Sequence, residues 1–112
     1  MRDNKESEAR KLAEKKAAHD YEQVTKQGQD NYPKLDFSTF VLSLSSSALV
    51  HLGEVPDPES GKNNLNLALA KQTIDVLGML EQKTKGNLTG QEERLLKDIL
   101  FDLRMKYVQK TM

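Results

Sequence analysis

The chain has 112 residues, of which 37% are apolar and 30% are charged, so it is long enough for one small domain with a modest core. Its 17 basic and 17 acidic residues give a formal net charge of zero, which argues against a nucleic-acid partner, because nucleic-acid binders neutralise phosphates with a basic excess. The chain contains no cysteine, which excludes a disulfide framework, thiol catalysis and cysteine metal sites.

The apolar patterning favours a cytoplasmic protein. Residues 1–6 are mostly polar or charged and no apolar run follows them, unlike the start of a secretory signal. The longest apolar stretch, at 37–52, is shorter than the roughly 18–20 residues that span a bilayer, and several serines interrupt it. We therefore expect a cytoplasmic location and no membrane-spanning segment, and the pattern argues against membrane association.

Residues 1–35 differ in composition from the rest of the chain. Charges of both signs alternate along them, and Leu12 and Val24 stand almost alone as large aliphatic residues. Such a segment cannot bury enough apolar surface to offset the entropy lost on ordering it. Lys, Glu, Ala and Arg nevertheless favour helix, so we expect residues 5–26 to be helical without packing on a core. A glycine and an Asn-Tyr-Pro turn within 28–33 should end this helix.

The domain predicted at 36–112 begins with a helix over residues 37–53. Asp36 or Ser38 can cap its start by accepting a hydrogen bond from a free backbone N–H. Gly53 should end it, because glycine adopts the left-handed conformation without a steric clash. Six side chains share its apolar face: Phe37, Phe40, Val41, Leu44, Ala48 and Leu52.

A loop with two prolines at 54–64 separates this helix from a second one predicted at 65–85. The second helix carries two neighbouring apolar stripes, which together are wide enough to contact two other helices. The stripes are Leu67, Ala70, Ile74 and Leu77, and Leu69, Thr73, Val76 and Leu80. Lys83 and Lys85 lie at its C-terminal end, where they complement the helix dipole.

A third helix, predicted at 89–110, has the clearest start signal in the chain. Thr89 and Glu92 have the spacing of a capping box, in which each side chain binds the backbone N–H of the other residue. The main apolar face consists of Leu95, Leu96, Ile99, Leu100, Leu103 and Tyr107. Three i,i+4 ion pairs are expected on the surface: Glu93–Lys97, Arg94–Asp98 and Asp102–Lys106.

The order of these elements predicts the architecture. The link at 86–88 is so short that the second and third helices should form an antiparallel hairpin. No segment shows the period-two alternation that is typical of a strand. The sequence therefore predicts an all-α fold, in which a three-helix unit with a C-terminal antiparallel helical hairpin follows a charged, partly helical tail.

Four apolar residues of the third helix lie opposite its main face: Phe101, Met105, Val108 and Met112. They recur at i, i+4, i+7 and i+11 and are termed the apolar stripe. A three-helix unit can bury one inward face per helix, so the apolar stripe is left without a partner inside the unit. We expect it to be the interface of a homo-oligomer, most simply a two-fold dimer.

Several different short motifs follow one another along the domain. They include Phe37-Ser-Thr-Phe-Val-Leu-Ser-Leu44, Leu52-Gly53-Glu54, Ile74-Asp75-Val76-Leu77, Lys83-Thr84-Lys85-Gly86-Asn87-Leu88-Thr89 and Tyr107-Val108. Over about residues 36–109 this set resembles the bacterial family designated domain of unknown function 1844. The resemblance implies a small cytosolic bacterial protein, and it brings no activity, cofactor or catalytic residue to this chain.

Polar residues around the proline loop suggest a metal or catalytic site, but simpler interpretations are available. His51 could pair with Glu54, yet the only other histidine, His19, lies in the tail. We interpret His51 as a partly buried side chain with a satisfied hydrogen bond. Glu54, Asp57 and Glu59 are close together, but their spacing matches no calcium loop, so a solvated acidic loop is expected.

Two further patterns also favour structural roles. Residues 60–62, Ser-Gly-Lys, resemble the end of a phosphate loop, but the upstream glycine and the strand are missing. The serines of the helix at 37–53 belong to no acid–base–nucleophile set. Ser43 and Ser47, four residues apart, are instead expected to allow a second helix to approach closely. We therefore expect no catalytic residue, no metal and no cofactor.

The function expected from the sequence is that of a non-catalytic, self-associating protein-interaction module. A membrane-surface protein anchored by the helix at 37–53 is the first alternative. It is weakened because no Lys or Arg occurs between Phe37 and Val55, whereas interfacial helices usually pair an apolar face with a basic one. An enzyme with an unfamiliar site is the second alternative. The pathway and any protein partner besides a second copy stay open.

Overall fold

The computed structural model describes residues 4–27 and 34–112, and within these ranges every regular element is an α-helix. The helices are α1 (Asn4–Gln27), α2 (Phe37–His51), α3 (Leu67–Lys83) and α4 (Gly90–Thr111). Two units are distinguished, Met1–Lys34, which contains α1, and Leu35–Met112, which contains the other three helices. The predicted all-α fold class is confirmed.

Helix α1 forms where the sequence is rich in strong helix formers. Its largest apolar side chains, Leu12, Tyr21 and Val24, are all exposed. Arg10 and Glu14 form an i,i+4 ion pair on its surface at 3.1 Å. The turn predicted to follow this helix, at 28–33, lies outside the described residues.

Side-chain caps set the starts of α2 and α3. The Asp36 carboxylate accepts a hydrogen bond from the backbone N–H of Thr39 at 2.8 Å, so Asp36 rather than Ser38 is the cap of α2. Helix α3 begins two residues later than predicted. The reason is that the Asn66 side chain accepts a hydrogen bond from the N–H of Leu69 at 3.1 Å, a cap that was not predicted from the sequence.

The predicted capping box of α4 is confirmed. The Thr89 hydroxyl accepts a hydrogen bond from the N–H of Glu92 at 3.1 Å, and the Glu92 carboxylate accepts one from the N–H of Thr89 at 2.9 Å. The predicted helix break at Gly53 is also confirmed, since that residue follows α2 with a φ of +74°.

One apolar core lies where α2, α3 and α4 meet. Its buried side chains all belong to the faces predicted from the sequence. They are Val41, Ala48, Leu52, Ala70, Ile74, Leu77, Leu96, Leu100 and Leu103. Helix α3 packs against both α2 and α4, which also contact each other. Its buried side chains all come from the first of the two predicted stripes, whereas Leu69 of the second stripe is exposed.

Two expectations about α2 are wrong. Phe40, assigned to the inward face, is exposed, as are Ser43 and Ser47, which were expected to admit a second helix. The Ser43 hydroxyl instead donates a hydrogen bond to the carbonyl of Phe40 at 2.8 Å. The buried residues of α2, Val41 and Ala48, form a narrower stripe than its composition suggests, because α3 and α4 cover only that part of its apolar face.

Contacts at the helix ends define the directions of the three core helices. The N–H of Asn66 donates a hydrogen bond to the carbonyl of His51 at 2.7 Å, so α3 begins beside the end of α2. Lys110 Nζ lies 3.8 Å from Glu54 Oε1, which places the end of α4 beside the end of α2. Helices α2 and α4 therefore run in the same direction, and α3 and α4 form the predicted antiparallel hairpin.

We predict that the unit containing α2, α3 and α4 folds without residues 1–33, because the large apolar side chains of α1 are exposed. A chain beginning at Lys34 should keep a cooperative thermal transition and a helical circular dichroism spectrum. A broad, non-cooperative transition of this shortened chain would show that the tail is part of the folded unit.

Thr89→Ala should lower the free energy of unfolding by roughly 0.5–2 kcal/mol, because it removes a hydroxyl that satisfies a free N–H at the start of α4. The midpoint of chemical denaturation measures this effect. Thr89→Ser keeps the hydroxyl and serves as the control, with a midpoint close to that of the wild type. Equal midpoints for Thr89→Ala and the wild type would contradict a stabilising role for the capping box.

Candidate functional site

The apolar stripe lies on the side of α4 that faces away from the core. Phe101, Met105, Val108 and Met112 are 67, 46, 53 and 95% exposed. The core residues of the same helix, Leu96, Leu100 and Leu103, are at most 1% exposed. Helix α4 thus carries one buried and one exposed apolar face, and the role of the exposed face as an interface stays a prediction.

An open groove with a volume of about 640 Å³ runs along the apolar stripe. Its apolar lining comes from Leu100, Phe101, Met105 and Val108. Its charged lining comes from Glu81 of α3 and from Lys97 and Arg104 of α4. Because α3 contributes to the groove, a partner that lies on the apolar stripe also meets the edge of α3.

Lys97 is held at the edge of this groove by acidic neighbours. Its ammonium group donates a hydrogen bond to Glu93 Oε1 at 2.9 Å. This hydrogen bond and the charge of Glu93 raise the pKa of Lys97 above its ordinary value, and the charge of Glu81 raises it further. Lys97 therefore stays protonated at neutral pH.

A second predicted ion pair also forms on α4, where Lys106 Nζ lies 3.0 Å from Asp102 Oδ2. The third predicted pair, Arg94 with Asp98, is not among the ion pairs that residues 4–27 and 34–112 form. Two of the three ion pairs predicted on α4 therefore form in the structure.

Arg104 lies across the surface of α3 at Gly78. A Cβ atom built at Gly78 would be only 3.1 Å from a guanidinium nitrogen of Arg104, so the missing side chain gives Arg104 its place. The sequence pattern did not predict this contact. The signal that could have indicated it is Gly78 itself, which lies in the middle of α3. A glycine at such a position costs about 1 kcal/mol relative to alanine and usually has a packing reason.

His51 is half-buried at the end of α2. Its Nδ1 atom is buried and has no hydrogen-bond partner among the described residues, so the expectation of a satisfied hydrogen bond is wrong for this atom. Glu54, its suggested partner, approaches Lys110 instead, because α4 brings that ammonium group to the end of α2. In the described ranges no cluster of three or more potential metal ligands occurs.

Asp57 organises the acidic loop through hydrogen bonds within it. Its carboxylate accepts a hydrogen bond from the N–H of Glu59 at 2.9 Å. Its own N–H donates to the carbonyl of Lys62 at 2.9 Å, and its carbonyl accepts from the N–H of Gly61 at 2.7 Å. These contacts support the structural interpretation of this loop.

Residues 34–109 match the family model described as Domain of unknown function (DUF1844). The chain belongs to this family. The match contains α2, α3 and most of α4, including Phe101, Met105 and Val108, and leaves α1 and Met112 outside. Neither the curated proteins nor the solved structures contain a match to the chain. The family description assigns no activity to its members.

No helix in the described part of the chain is both long enough and apolar enough to cross a membrane. Most of the apolar face of α2, which a membrane-surface anchor would use, packs into the core, although Phe40 is exposed. Val41, Ala48 and Leu52 of that face are at most 1% exposed. Their burial argues against the hypothesis of an interfacial anchor built on α2.

Gly78→Ala should raise the free energy of unfolding by about 0.5–1 kcal/mol, because alanine favours helix over glycine. The new methyl group meets only the far end of Arg104, a flexible and exposed side chain that can move aside. The midpoint of chemical denaturation measures the change. A lower midpoint than that of the wild type would show that Arg104 is held rigidly against Gly78.

Proposed function

We propose that this chain is a non-catalytic protein-interaction module that forms a homodimer through the apolar stripe of α4. One observation carries the proposal, namely a continuous exposed apolar line on a helix whose opposite face is already buried. Covering Phe101, Met105 and Val108 removes apolar surface from water, which is favourable by roughly 25 cal/mol per Å².

The composition of the apolar stripe supports a protein partner. Aromatic residues and methionine are enriched in the centres of protein interfaces, and this stripe combines Phe101 with two methionines. The unbranched side chain of methionine adapts to the shape of its partner. A two-fold axis brings the same patch together from both chains, so one exposed stripe supplies both sides of the interface.

The polar groups beside the groove support binding rather than catalysis. The amine of Lys97 is protonated at neutral pH, as in any exposed lysine, and its hydrogen bond to Glu93 raises its pKa further. It is therefore a poor nucleophile or general base. The guanidinium of Arg104 is a permanent cation that cannot accept a proton. Both side chains are suited to hydrogen bonds and ion pairs at the edge of an interface.

The double variant Phe101→Glu with Met105→Lys should convert the dimer into a folded monomer, because it places charges in the centre of the proposed interface. Both positions are exposed, so the core of the monomer is unaffected. Light scattering gives the mass, and the dimer should weaken at least about tenfold, the scale expected for losing central interface residues. Circular dichroism checks that the variant is folded.

The matched control is Leu42→Glu with Met79→Lys. These two residues are also about half exposed, lie on α2 and α3, and undergo the same changes of charge. The control should keep the assembly state of the wild type. If both double variants reduce self-association equally, the apolar stripe is not the interface.

A further inference from the structure

The charges on either side of the apolar stripe are unequal. At about 3.6 residues per helical turn, Lys97 and Arg104 lie along one side of the stripe, and Asp102 and Gln109 lie along the other. One edge of the proposed interface is therefore basic, and the opposite edge carries a carboxylate and an amide. This asymmetry constrains how two copies can meet.

The spacing of the apolar stripe is that of a coiled-coil seam. Phe101, Met105, Val108 and Met112 are separated by four, three and four residues, close to the mean of about 3.5 residues that keeps a seam facing a partner helix. Two copies of α4 can therefore pack along their length, with flanking side chains from one helix reaching those of the other.

Only one of the two possible directions matches unlike charges. In a parallel pair, each flank meets the opposite flank of the partner helix, so Lys97 of one chain approaches Asp102 of the other, and Arg104 approaches Gln109. In an antiparallel pair, each flank meets its own copy, and with the stripes overlapped Asp102 faces Gln109 and Arg104 faces Thr111. No unlike charges meet there, so only the parallel direction gains an interchain ion pair.

We propose that the apolar stripe binds a second copy of this chain in parallel, with the two α4 helices in register around a two-fold axis along their length. This inference rests on the proposed function and adds the direction and the specificity of the contact. Asp98 lies seven residues before Met105 and therefore on the same line of the helix. In the parallel dimer the two Asp98 carboxylates would face each other and repel, so the apolar contact ends near Phe101.

The intrachain ion pairs leave these charges available. Lys97 and Asp102 are 60 and 55% exposed in their side chains, although they contact Glu93 and Lys106. Exposed i,i+4 pairs on a helix contribute only a few tenths of a kcal/mol, and a carboxylate can accept from two ammonium groups. An interchain pair can thus form beside the existing one or replace it.

Introduced cysteines test the direction, because the natural chain has none. Met105→Cys and Met112→Cys, made separately, lie about 10 Å apart along the helix. In the parallel dimer each should form a disulfide with its own copy, since a disulfide requires Cα atoms within about 7 Å. In any antiparallel dimer at most one of them can do so. Leu42→Cys, an exposed control on α2, should stay uncrosslinked at the same protein concentration.

Charge reversal tests the pairing. Lys97→Glu and Asp102→Lys should each weaken the dimer about tenfold by placing like charges opposite each other, and the two changes together should restore most of the affinity. The double variant does not restore the pairs with Glu93 and Lys106, so recovery cannot come from a more stable helix. Sedimentation measures the dissociation constants.

These outcomes separate the two proposals. Disulfides at both methionine positions and recovery in the charge-reversed double variant support the parallel dimer. A wild-type dimer that crosslinks at one position or at neither, or that is insensitive to the single charge reversals, overturns the parallel arrangement and leaves self-association intact. A full-length chain that stays monomeric overturns both proposals.

Discussion

Three helices packed around one core can bury only one face of each helix, and this constraint governs the structure. The core contains Val41 and Ala48 of α2, Leu52 at its cap and three buried side chains each from α3 and α4, and all three helices contact one another. Everything apolar beyond those faces has to lie in water or meet another molecule. Helix α4 is the element for which this matters most, because its second apolar face is continuous over three turns.

The family motif from Lys83 to Thr89 has a structural explanation in the hairpin between α3 and α4. The Thr84 hydroxyl donates a hydrogen bond to the carbonyl of Leu80 at 2.6 Å, and the N–H of Asn87 donates to the carbonyl of Thr84 at 2.9 Å. Gly86 has a φ of +82°, which favours glycine, and Thr89 begins the next helix as its cap. These contacts account for most of the motif without a bound ligand, so we place the functional surface on α4.

Sequence patterns predicted the features that depend on local spacing. The three core helices, the core faces and the capping box of Thr89 all follow from rules that act within a few residues. The errors concern features that depend on tertiary position. Phe40 is exposed because α3 and α4 cover only the part of α2 around Val41 and Ala48. Glu54 approaches Lys110 because α4 ends beside it. The contact of Arg104 with Gly78 joins two helices and could not be located from spacing alone.

The position of the apolar stripe on the exposed side of α4 could likewise be predicted from its helical spacing, whereas the groove along it required the placement of α3. In the proposed dimer a second copy of the chain covers this stripe. Sedimentation equilibrium of the 112-residue chain, from low to high micromolar concentration, distinguishes the dimer from a monomer. We expect the mass to rise from 12.7 kDa toward twice that value as concentration increases. A mass that stays at 12.7 kDa over the whole range would contradict the proposed dimer.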